Sequence, residues 1–307
     1  MPIPPSGDQY ELNFGDQSVT VVEVGGGLRS YRAGDWQVLD GYAVGEMCSG
    51  GRGQILVPWP NRVDEGRYEF GGRRLQLALT EPPKRNAIHG LARWSAWTPV
   101  GRSEARVELG QIIHAQAGYP FSVQVRLTYE LDAVGLTVSL RAANIGAEPC
   151  PFGAGAHPYL TVGNGLIDEA LLHVDCKTRY ETNERSIPTG RAAVAGSAFD
   201  FRHPKPLGAT VIDTAFTDLE RDEDGRAWVT LASSDGRRAV RLWLDRSYSH
   251  LMLFTGDTLP DHERRRGLGV EPMTCAPNAF VTGDGLRVLE PGEEFSAAWG
   301  LEPVQQA

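Results

Sequence analysis

Two titratable side chains stand out because each lies in a run of small or apolar residues. His157 lies in PFGAGAHPYL, positions 151 to 160, where Pro158 restricts it to extended backbone. Glu271 is the only carboxylate in GVEPMTCAPNAF, positions 269 to 280. A Glu in such a run is either a member of an ion pair or a desolvated base, and the histidine is either a packed structural residue or a reactive one. If both are reactive, they could serve one substrate as general acid and general base.

Groups suited to binding a polyhydroxylated ligand occur in two earlier segments. These are PWPNR at positions 58 to 62 and NAIHGLAR at positions 86 to 93. The two prolines of the first segment interrupt sheet hydrogen bonding, and a rigid loop or sheet edge of this kind carries ligand contacts more often than a core does. We therefore expect three side chains to project from it: Trp59, Asn61 and Arg62.

Arg62 and His89 together have the chemistry of a sugar site. Such a site needs planar multi-donor groups against vicinal hydroxyls, which Arg62 and His89 supply. It also needs an aromatic face against the apolar C–H surface of the ring, for which Trp59 and Trp94 are the candidates. Each residue alone also fits a structural role, as a solvated arginine or as a hydrogen-bonded core histidine.

The composition argues against several other classes of function. A net charge of -9 disfavours a nucleic acid partner, because a phosphate backbone requires clustered Lys and Arg. The basic run at 264–266 is flanked by acidic residues and predicts a solvated loop, with contact to a substrate phosphate as the alternative. The four cysteines are widely spaced, and no dinucleotide fingerprint or P-loop occurs, so we predict no metal and no cofactor.

The chain carries no apolar run of membrane-spanning length and no recognisable signal peptide. A cytoplasmic location without a membrane partner is therefore the default expectation. The sequence leaves the oligomeric state open.

Alternation of apolar and polar residues predicts β-strands along the whole chain. The clearest case is a hairpin formed by residues 121–131 and 136–141. Glycine and proline are spread along the chain rather than concentrated in a linker, and long amphipathic helices are not indicated. Residues 1–307 are therefore predicted to form a single all-β domain, a sandwich of antiparallel sheets. Further predicted strands lie at 9–14, 18–24, 67–70, 73–79, 227–232, 237–244 and 294–300.

At the motifs described above, the sequence resembles the aldose 1-epimerase or galactose mutarotase family, in a bacterial mutarotase-like subgroup. The Asn-Arg pair, the later His-Gly, the His-Pro-Tyr motif and the C-terminal Glu follow one another in the family's order, over roughly residues 10 to 300. The resemblance implies a β-supersandwich fold with a cleft across the sheets. It also implies an isomerase that interconverts the α and β anomers of a free aldohexose.

The resemblance assigns roles to individual residues. His157 matches the family's general acid and Glu271 its general base, while Arg62 and His89 match its ligands for sugar hydroxyls. Asp213, in VIDTAFTDL at positions 211 to 219, matches an aspartate that binds sugar hydroxyls. Asp218 lies nearby in the same segment, and the alternative for Asp213 is a structural role in a turn. Neighbours in the same motifs are expected beside the sugar: Trp59, Asn61 and Tyr159.

Three other functions fit parts of the same pattern. A hexose-6-phosphate 1-epimerase would need cations beyond Arg62 to receive the phosphate. A carbohydrate-binding β-sandwich without activity would bind sugar through the same cleft. A glycoside hydrolase would use two carboxylates, such as Asp213 and Glu271. The family's frequent Thr-Gln after the catalytic Glu is replaced here by Pro272-Met273, which bears on substrate identity rather than on the reaction.

Overall fold

The fold is given by a computed structural model that describes residues 3–163 and 165–305. Nearly all regular structure in this part of the chain is β-strand, which confirms the all-β prediction. In chain order, the strands are β1 (Gln9–Phe14), β2 (Gln17–Val22), β3 (Leu28–Ala33), β4 (Trp36–Gln37), β5 (Ile55–Leu56), β6 (Arg62–Asp64), β7 (Arg67–Phe70), β8 (Arg73–Gln76), β9 (Asn86–Ile88), β10 (Thr98–Arg102), β11 (Arg106–Ile113), β12 (Val123–Leu131), β13 (Leu136–Asn144), β14 (Cys150–Phe152), β15 (Gly155–Ala156), β16 (Tyr159–Leu160), β17 (Leu171–Val174), β18 (Cys176–Thr182), β19 (Pro188–Ala193), β20 (Lys205–Pro206), β21 (Asp213–Leu219), β22 (Ala227–Ala232), β23 (Arg238–Leu244), β24 (His250–Phe254), β25 (Leu268–Met273), β26 (Arg287–Leu289) and β27 (Glu294–Gln305).

Helical structure is confined to three short segments of the described residues. The α-helix α1 spans Ala279–Thr282, and single 3₁₀ turns span Pro82–Lys84 and Ile167–Glu169. Within 3–163 and 165–305, no helix has the length and apolarity needed to span a membrane.

Two large antiparallel sheets make up most of the fold. The first has nine strands in the order β10-β11-β12-β13-β27-β23-β22-β17-β20. The second has eight, in the order β19-β18-β21-β24-β25-β15-β5, with β16 also paired to β25. Strands β1 to β4 form a separate sheet, and β14-β26, β6-β9 and β7-β8 are two-stranded ladders.

The predicted hairpin is confirmed as β12 and β13. Every second side chain of β12 is buried from Val123 to Leu131, as the alternation requires. The final strand extends further than predicted, to Gln305 instead of residue 300, because β23 continues to pair with it as far as Arg238. The other predicted strands are present, with ends that differ by three residues or fewer.

The eight-stranded sheet has one face in the hydrophobic core and one face free for other contacts. Leu251 and Leu253 of β24 and Val270 of β25 belong to the main hydrophobic cluster. Because alternate residues of a strand point to opposite faces, Met252 and Glu271, which pair across β24 and β25, lie on the other face.

The main hydrophobic cluster also includes side chains of the nine-stranded sheet, such as Val125 and Tyr129. The two large sheets therefore share one core. This shared core supports the prediction that residues 1–307 form one domain, which stays a prediction.

Candidate active site

A cavity of about 380 Å³ opens on the face of the eight-stranded sheet that lies away from the core. Its floor carries Asp213 of β21, Met252 and Phe254 of β24 and Glu271 of β25. Asp213 pairs with Phe254, and Met252 pairs with Glu271, so the four side chains share one face of the sheet. The sheet register therefore fixes the spacing of the two carboxylates.

One wall of the cavity comes from the small ladder of β6 and β9. Arg62 pairs with Ile88 in this ladder, and just beyond it the His89 N–H donates to the Asn61 carbonyl at 2.9 Å. Asn61 and His89 both adopt positive φ, 54° and 64°, so the extended pairing ends at these two residues. Asn61, Arg62 and His89 all line the cavity.

His157 and Glu271 meet because their segments are neighbours in the sheet. Gly155 of β15 and Tyr159 of β16 both pair with β25, and His157, midway between them, faces Glu271. His157 Nε2 lies 3.2 Å from Glu271 Oε1. The two side chains retain only 5% and 3% of their exposure, so the contact is buried at the base of the cavity.

Burial sets the protonation of this pair. The pKa of Glu271 is raised to about 8, chiefly by desolvation and also by the negative charge of Asp213, while the positive charge of Arg62 opposes the rise. The pKa of His157 is lowered to about 3, chiefly by desolvation and also by the positive charges of Arg52, Arg93 and Arg62. At neutral pH the pair therefore carries one proton, which resides on Glu271 beside a neutral His157.

Three buried polar atoms at the site lack a hydrogen-bond partner among the described residues. They are Nδ1 of His89, Nδ1 of His157 and Oε2 of Glu271. The two histidine rings meet edge to face, with centroids 5.4 Å apart. Buried polar atoms normally have partners, so this group is suited to a ligand that supplies hydroxyl donors and acceptors.

Tyr159 supports His157 from behind. The two rings are nearly parallel, 9° apart with centroids at 5.0 Å, and the Tyr159 hydroxyl donates to the Gly50 carbonyl at 2.7 Å. The Arg52 guanidinium lies 4.8 Å from the centroid of the tyrosine ring. The stack restrains the orientation of His157.

The backbone also approaches the His157 ring closely at Gly51. A Cβ atom at this position would lie 2.9 Å from His157 Cδ2, and the residue has a φ of +76°. Gly51 is therefore required both by its backbone conformation and by the space that the imidazole occupies.

We expect the Gly51→Ala variant to lower kcat at least tenfold, because the methyl group must displace the imidazole and small misplacements of reacting groups are costly. The matched control is Gly196→Ala, whose φ of +74° imposes the same backbone strain with no atom within 4 Å of the new Cβ. Both variants should lose about 1–2 kcal/mol of unfolding free energy. Equal activities of the two variants, measured by polarimetry, would contradict the steric role of Gly51.

Arg62 is held in place by a bidentate ion pair with Glu81. The Arg62 Nε and Nη2 groups donate to the two Glu81 oxygens at 2.8 and 2.9 Å. Burial raises the pKa of Glu81, but the hydrogen bond and charge of Arg62, the hydrogen bond from Asn86 and the charge of Lys84 together outweigh it, so the pKa lies below its usual value. Nη1 of Arg62 has no hydrogen-bond partner among the described residues, and Arg62 lines the cavity, so this group is available to a ligand.

The aldose 1-epimerase family model matches residues 8–301 of the chain. The chain belongs to the aldose 1-epimerase family. The uncharacterised protein YihR of Escherichia coli K12 is 33% identical over 290 residues, which cover 94% of this chain and 91% of YihR. Human galactose mutarotase is 30% identical over 169 residues, which cover 52% of this chain and 48% of that protein. The resemblance inferred from the motifs is confirmed, and with it the isomerase class.

Solved structures confirm the fold implied by the resemblance. Galactose 1-epimerase of Lactobacillus acidophilus superposes with a TM-score of 0.82 at 22% identity, covering 98% of this chain and 96% of that one. An aldose epimerase homologue from C. elegans gives 0.87 at 16% identity, covering 98% and 99%. The chain therefore has the galactose mutarotase-like β-supersandwich fold.

Most of the site residues that were predicted from the sequence of this aldose 1-epimerase family member line one cavity. Tyr159 is the first exception and lies behind His157 as described. Trp59 is the second exception, because its indole is buried in the core and packs against Phe280 of α1. The centroids of the two rings are 5.3 Å apart. The expected aromatic contact from Trp59 does not fit this placement, and Trp94, the other candidate, lines the cavity instead. The residues that meet in the cavity are Asn61, Arg62, His89, His157, Asp213 and Glu271.

Sequence reasoning missed several residues of the cavity. Glu81 lies in a polar stretch with no pattern that marks it, and its link to Arg62 is a tertiary contact. Met252 and Phe254 alternate along an apolar strand, where periodicity marks a strand but not which face meets a ligand. Arg93 was within a motif already singled out, so a search for cations in that motif could have found it.

A metal ion is the other ligand that the central residues could hold. Possible ligand atoms of His89, His157 and Glu271 all lie within 4.8 Å of one another, and imidazole and carboxylate suit transition metals. The neighbouring charge of Arg62, which lowers the pKa of both histidines in addition to burial, disfavours a cation. The prediction that no metal is needed stays a prediction.

A larger cavity among the described residues, of about 790 Å³, is a different one. Its charged lining residues are largely paired with one another, as Arg52 is with Asp40 and Glu263 at 3.1 and 3.0 Å. It lacks the unpartnered acid and base groups of the smaller cavity. The smaller cavity is therefore the candidate active site, despite its size.

The basic run at 264–266 does not reach the candidate active site. Arg264 is paired with Asp261 at the surface, and Arg265 is buried in ion pairs with Asp168 and Asp257. None of the three arginines lines the smaller cavity. The run is thus partly structural rather than wholly solvated, and the alternative of a phosphate contact from it is not supported.

Proposed function

We propose that this protein is an aldose 1-epimerase that interconverts the α and β anomers of an aldohexose by ring opening and reclosure. The observation that carries the proposal is the buried 3.2 Å contact between His157 and Glu271 in a cavity with unpartnered polar atoms. The family membership supports the reaction type. The motif order, from Asn61-Arg62 to the C-terminal Glu, supports the residue roles.

Ring opening requires one proton to leave the anomeric hydroxyl and one to reach the ring oxygen. In the proposed mechanism, Glu271 as carboxylate takes the proton from O1 while protonated His157 gives its proton to O5. The C1–O5 bond breaks, its electron pair remains on O5, and C1 becomes an aldehyde. Rotation about C1–C2 exposes the other face, and reclosure with reversed proton transfers gives the opposite anomer. Only protons and an electron pair move, so the step needs no cofactor.

The protonation state that reacts differs from the one that burial favours only in which residue, Glu271 or His157, holds the shared proton. Burial favours protonated Glu271 and neutral His157, whereas the reacting form has ionised Glu271 and protonated His157. Both forms contain one proton, and the 3.2 Å contact allows its transfer. Sugar hydroxyls that donate to Glu271 would stabilise the reacting form.

The remaining cavity residues are proposed to bind the sugar. Arg62, His89 and Asn61 approach from the β6–β9 wall, and Asp213 from the sheet floor. Asp213 accepts hydrogen bonds as a carboxylate, and Arg62 donates them, so together they suit adjacent hydroxyls. A small-molecule sugar is the expected partner. The cytoplasmic location stays a prediction from the sequence.

Polarimetry on freshly dissolved α-glucose and α-galactose tests the proposed function. The protein should accelerate the decay of optical rotation to its equilibrium value above the buffer rate. Methyl α-glucoside is the control, because it has no free anomeric hydroxyl and should show no change. Release of reducing sugar from the glycoside would favour a hydrolase. Sugar binding without acceleration would favour a carbohydrate-binding module.

We expect a bell-shaped pH profile of kcat/KM. With the pKa of Glu271 raised to about 8, the pair loses its single proton above this pH and no acid remains. With the pKa of His157 lowered to about 3, a second proton binds only in strong acid and removes the base. Activity should therefore hold through neutral pH and fall above about pH 8, after subtraction of the spontaneous rate. A profile that stays flat to pH 10 would contradict the shared-proton pair.

A further inference from the structure

The buried side chain of Asn86 lies directly behind the ion pair that holds Arg62. Asn86 is the first residue of β9 and is fully buried. Its Nδ2 group donates to Glu81 Oε2 at 3.2 Å, and the same oxygen accepts from Arg62 Nε. Asn86 therefore contacts the carboxylate that fixes the guanidinium, although it lies outside the lining of the cavity.

The backbone also fixes Glu81 relative to Asn86. The Glu81 N–H donates to the Asn86 carbonyl at 3.0 Å, and the Asn86 N–H donates to the Glu81 carbonyl at 3.3 Å. This bridge closes the segment 81–86 into a tight loop around the 3₁₀ turn Pro82–Lys84. A glutamate side chain still has rotational freedom on an anchored backbone, and a donor on its carboxylate restricts that freedom.

The tip of the β18–β19 hairpin, residues 183–187, holds Asn86 from the other side. Asn86 Nδ2 also donates to the Arg185 carbonyl at 2.9 Å, and the Arg185 guanidinium donates to Asn86 Oδ1 at 3.2 Å. The same guanidinium donates to the Lys84 carbonyl at 2.9 Å and forms an ion pair with Asp64 of β6. Both polar atoms of the Asn86 side chain thus have partners, and the hairpin tip is tied to the wall of the cavity.

These contacts form one continuous path from the hairpin tip to the sugar site. Arg185 contacts Asn86, which contacts Glu81. Glu81 in turn holds Arg62 in the bidentate pair. Two long side chains that form an ion pair keep some freedom to move together, whereas a short, buried amide bonded to the carboxylate removes it.

We propose that Asn86 is a positioning residue that orients the sugar-binding guanidinium of Arg62 through Glu81. Arg185, at the hairpin tip, in turn holds Asn86. This inference rests on the proposed function, because contact between Arg62 and the sugar is part of that function. The placement of Arg62 is then set by groups that never touch the sugar.

The Asn86→Ser variant tests the positioning role with glucose and galactose. It should lower kcat/KM by about fivefold, less than Arg62→Met, because the guanidinium remains but is no longer held in one orientation. The loss should appear mainly as a higher KM, since Arg62 is proposed to bind hydroxyls and not to transfer a proton. Polarimetry gives kcat and KM, and NMR titration gives the Kd for sugar, which should rise in parallel. A loss confined to kcat would overturn the proposal.

The matched control is Asn144→Ser. Asn144, at the end of β13, is similarly buried and donates through Nδ2 to the carbonyls of Glu148 and Leu289 at 2.8 and 2.7 Å. It lies outside the lining of the cavity. Both variants should lower Tm by about 2–4 °C, but only Asn86→Ser should change kcat/KM. Equal kcat/KM of the two variants would overturn the positioning role.

A second background shows whether Asn86 acts through the ion pair. In Arg62→Met with Glu81→Leu, the groups that Asn86 is proposed to orient are gone. Adding Asn86→Ser to this background should therefore change kcat/KM by less than about twofold, because contributions through a shared partner are not additive. A further fivefold loss in this background would mean that Asn86 acts by another route, and would overturn the proposal.

Arg185→Gln provides a variant closer to the surface, which does not depend on the folding of Asn86→Ser. It should lower kcat/KM by about threefold in the wild type and have no effect in the background that lacks the ion pair. The control Arg202→Gln removes an arginine of similar exposure that is paired with Asp200, outside the cavity lining, and should leave kcat/KM unchanged. Equal activities of these two variants would overturn the role of Arg185.

The measurement of Kd separates this inference from the proposed function. If the wild type binds sugar without accelerating mutarotation, the proposed epimerase is overturned. The positioning role is then decided by Kd alone: a weaker Kd in Asn86→Ser supports it, and an unchanged Kd overturns it. Absence of both acceleration and sugar binding in the wild type would overturn the two proposals together.

Discussion

Replacement of Glu271 by Gln or of His157 by Asn is expected to lower kcat for mutarotation by about 100- to 10,000-fold. Each substitution keeps a planar polar side chain of similar shape but removes a group that accepts and donates the transferred proton. Because the two groups reverse roles on reclosure, neither can be dispensed with in either direction. The measurement is polarimetry with wild type and each variant at saturating sugar.

Unfolding experiments give the control for these two variants. The native pKa of Glu271 is raised from 4.5 to about 8, so the folded state binds a proton more tightly than the unfolded one. Stability of the wild type is therefore lost as pH rises from about 4.5 to about 8, and Gln, which does not ionise, avoids this loss. Glu271→Gln should be at least as stable as wild type above pH 8. Near wild-type turnover in either well-folded variant would remove the assignment.

Arg62→Met is expected to have the second largest effect, on both stability and activity. It removes the bidentate partner of Glu81 and leaves that carboxylate partly buried, which should cost about 2–3 kcal/mol of unfolding free energy, below the value for fully buried pairs because Glu81 is 20% exposed. Loss of charged hydrogen bonds to the sugar should also lower kcat/KM by about tenfold or more. Thermal unfolding and polarimetry measure the two effects.

The double variant Arg62→Met with Glu81→Leu separates the two roles of Arg62. Removing both charges eliminates the uncompensated carboxylate, so most of the lost stability should return. The activity should not return, because the double variant still lacks the sugar-binding guanidinium. Recovery of activity together with stability would mean that Arg62 only supports the fold.

Much of the fold was predictable because its strands follow a simple period. In β12 the alternation from Val123 to Leu131 is visible in the sequence and is set by one buried face. In β25 the isolated Glu271 in an apolar run was predictable as an unusual residue. The structure explains it by burial of both faces of the strand, one in the core and one under the cavity.

Periodicity separates Asp213 from Asp218 but does not by itself choose between them. Both lie in β21, but their positions differ by an odd number, so they point to opposite faces. Asp213 shares its face with the cavity residues, whereas Asp218 is exposed and has a φ of +55°. The sequence shows that the two aspartates point to opposite faces of the strand. It does not show which of the two faces meets the cavity.

Contacts between distant segments were not predictable from local pattern. Trp59 sits between prolines in a loop-like motif, yet the burial of its indole against Phe280 depends on where α1 packs. Tyr159 follows His157 closely, but its position behind the imidazole depends on the loop of Gly50 and on Arg52. Such placements arise from tertiary packing, which a single sequence does not encode at short range.

The direct pairing of β15 and β16 with β25 also determines how the protein responds to heat. The backbone that carries His157 cannot move away from that of Glu271 unless backbone hydrogen bonds in the interior of a large sheet break first, and such strands open with global unfolding. Inactivation on warming should therefore coincide with the melting of the whole molecule. No lower-temperature phase in which a still-folded protein has lost its catalytic geometry is expected.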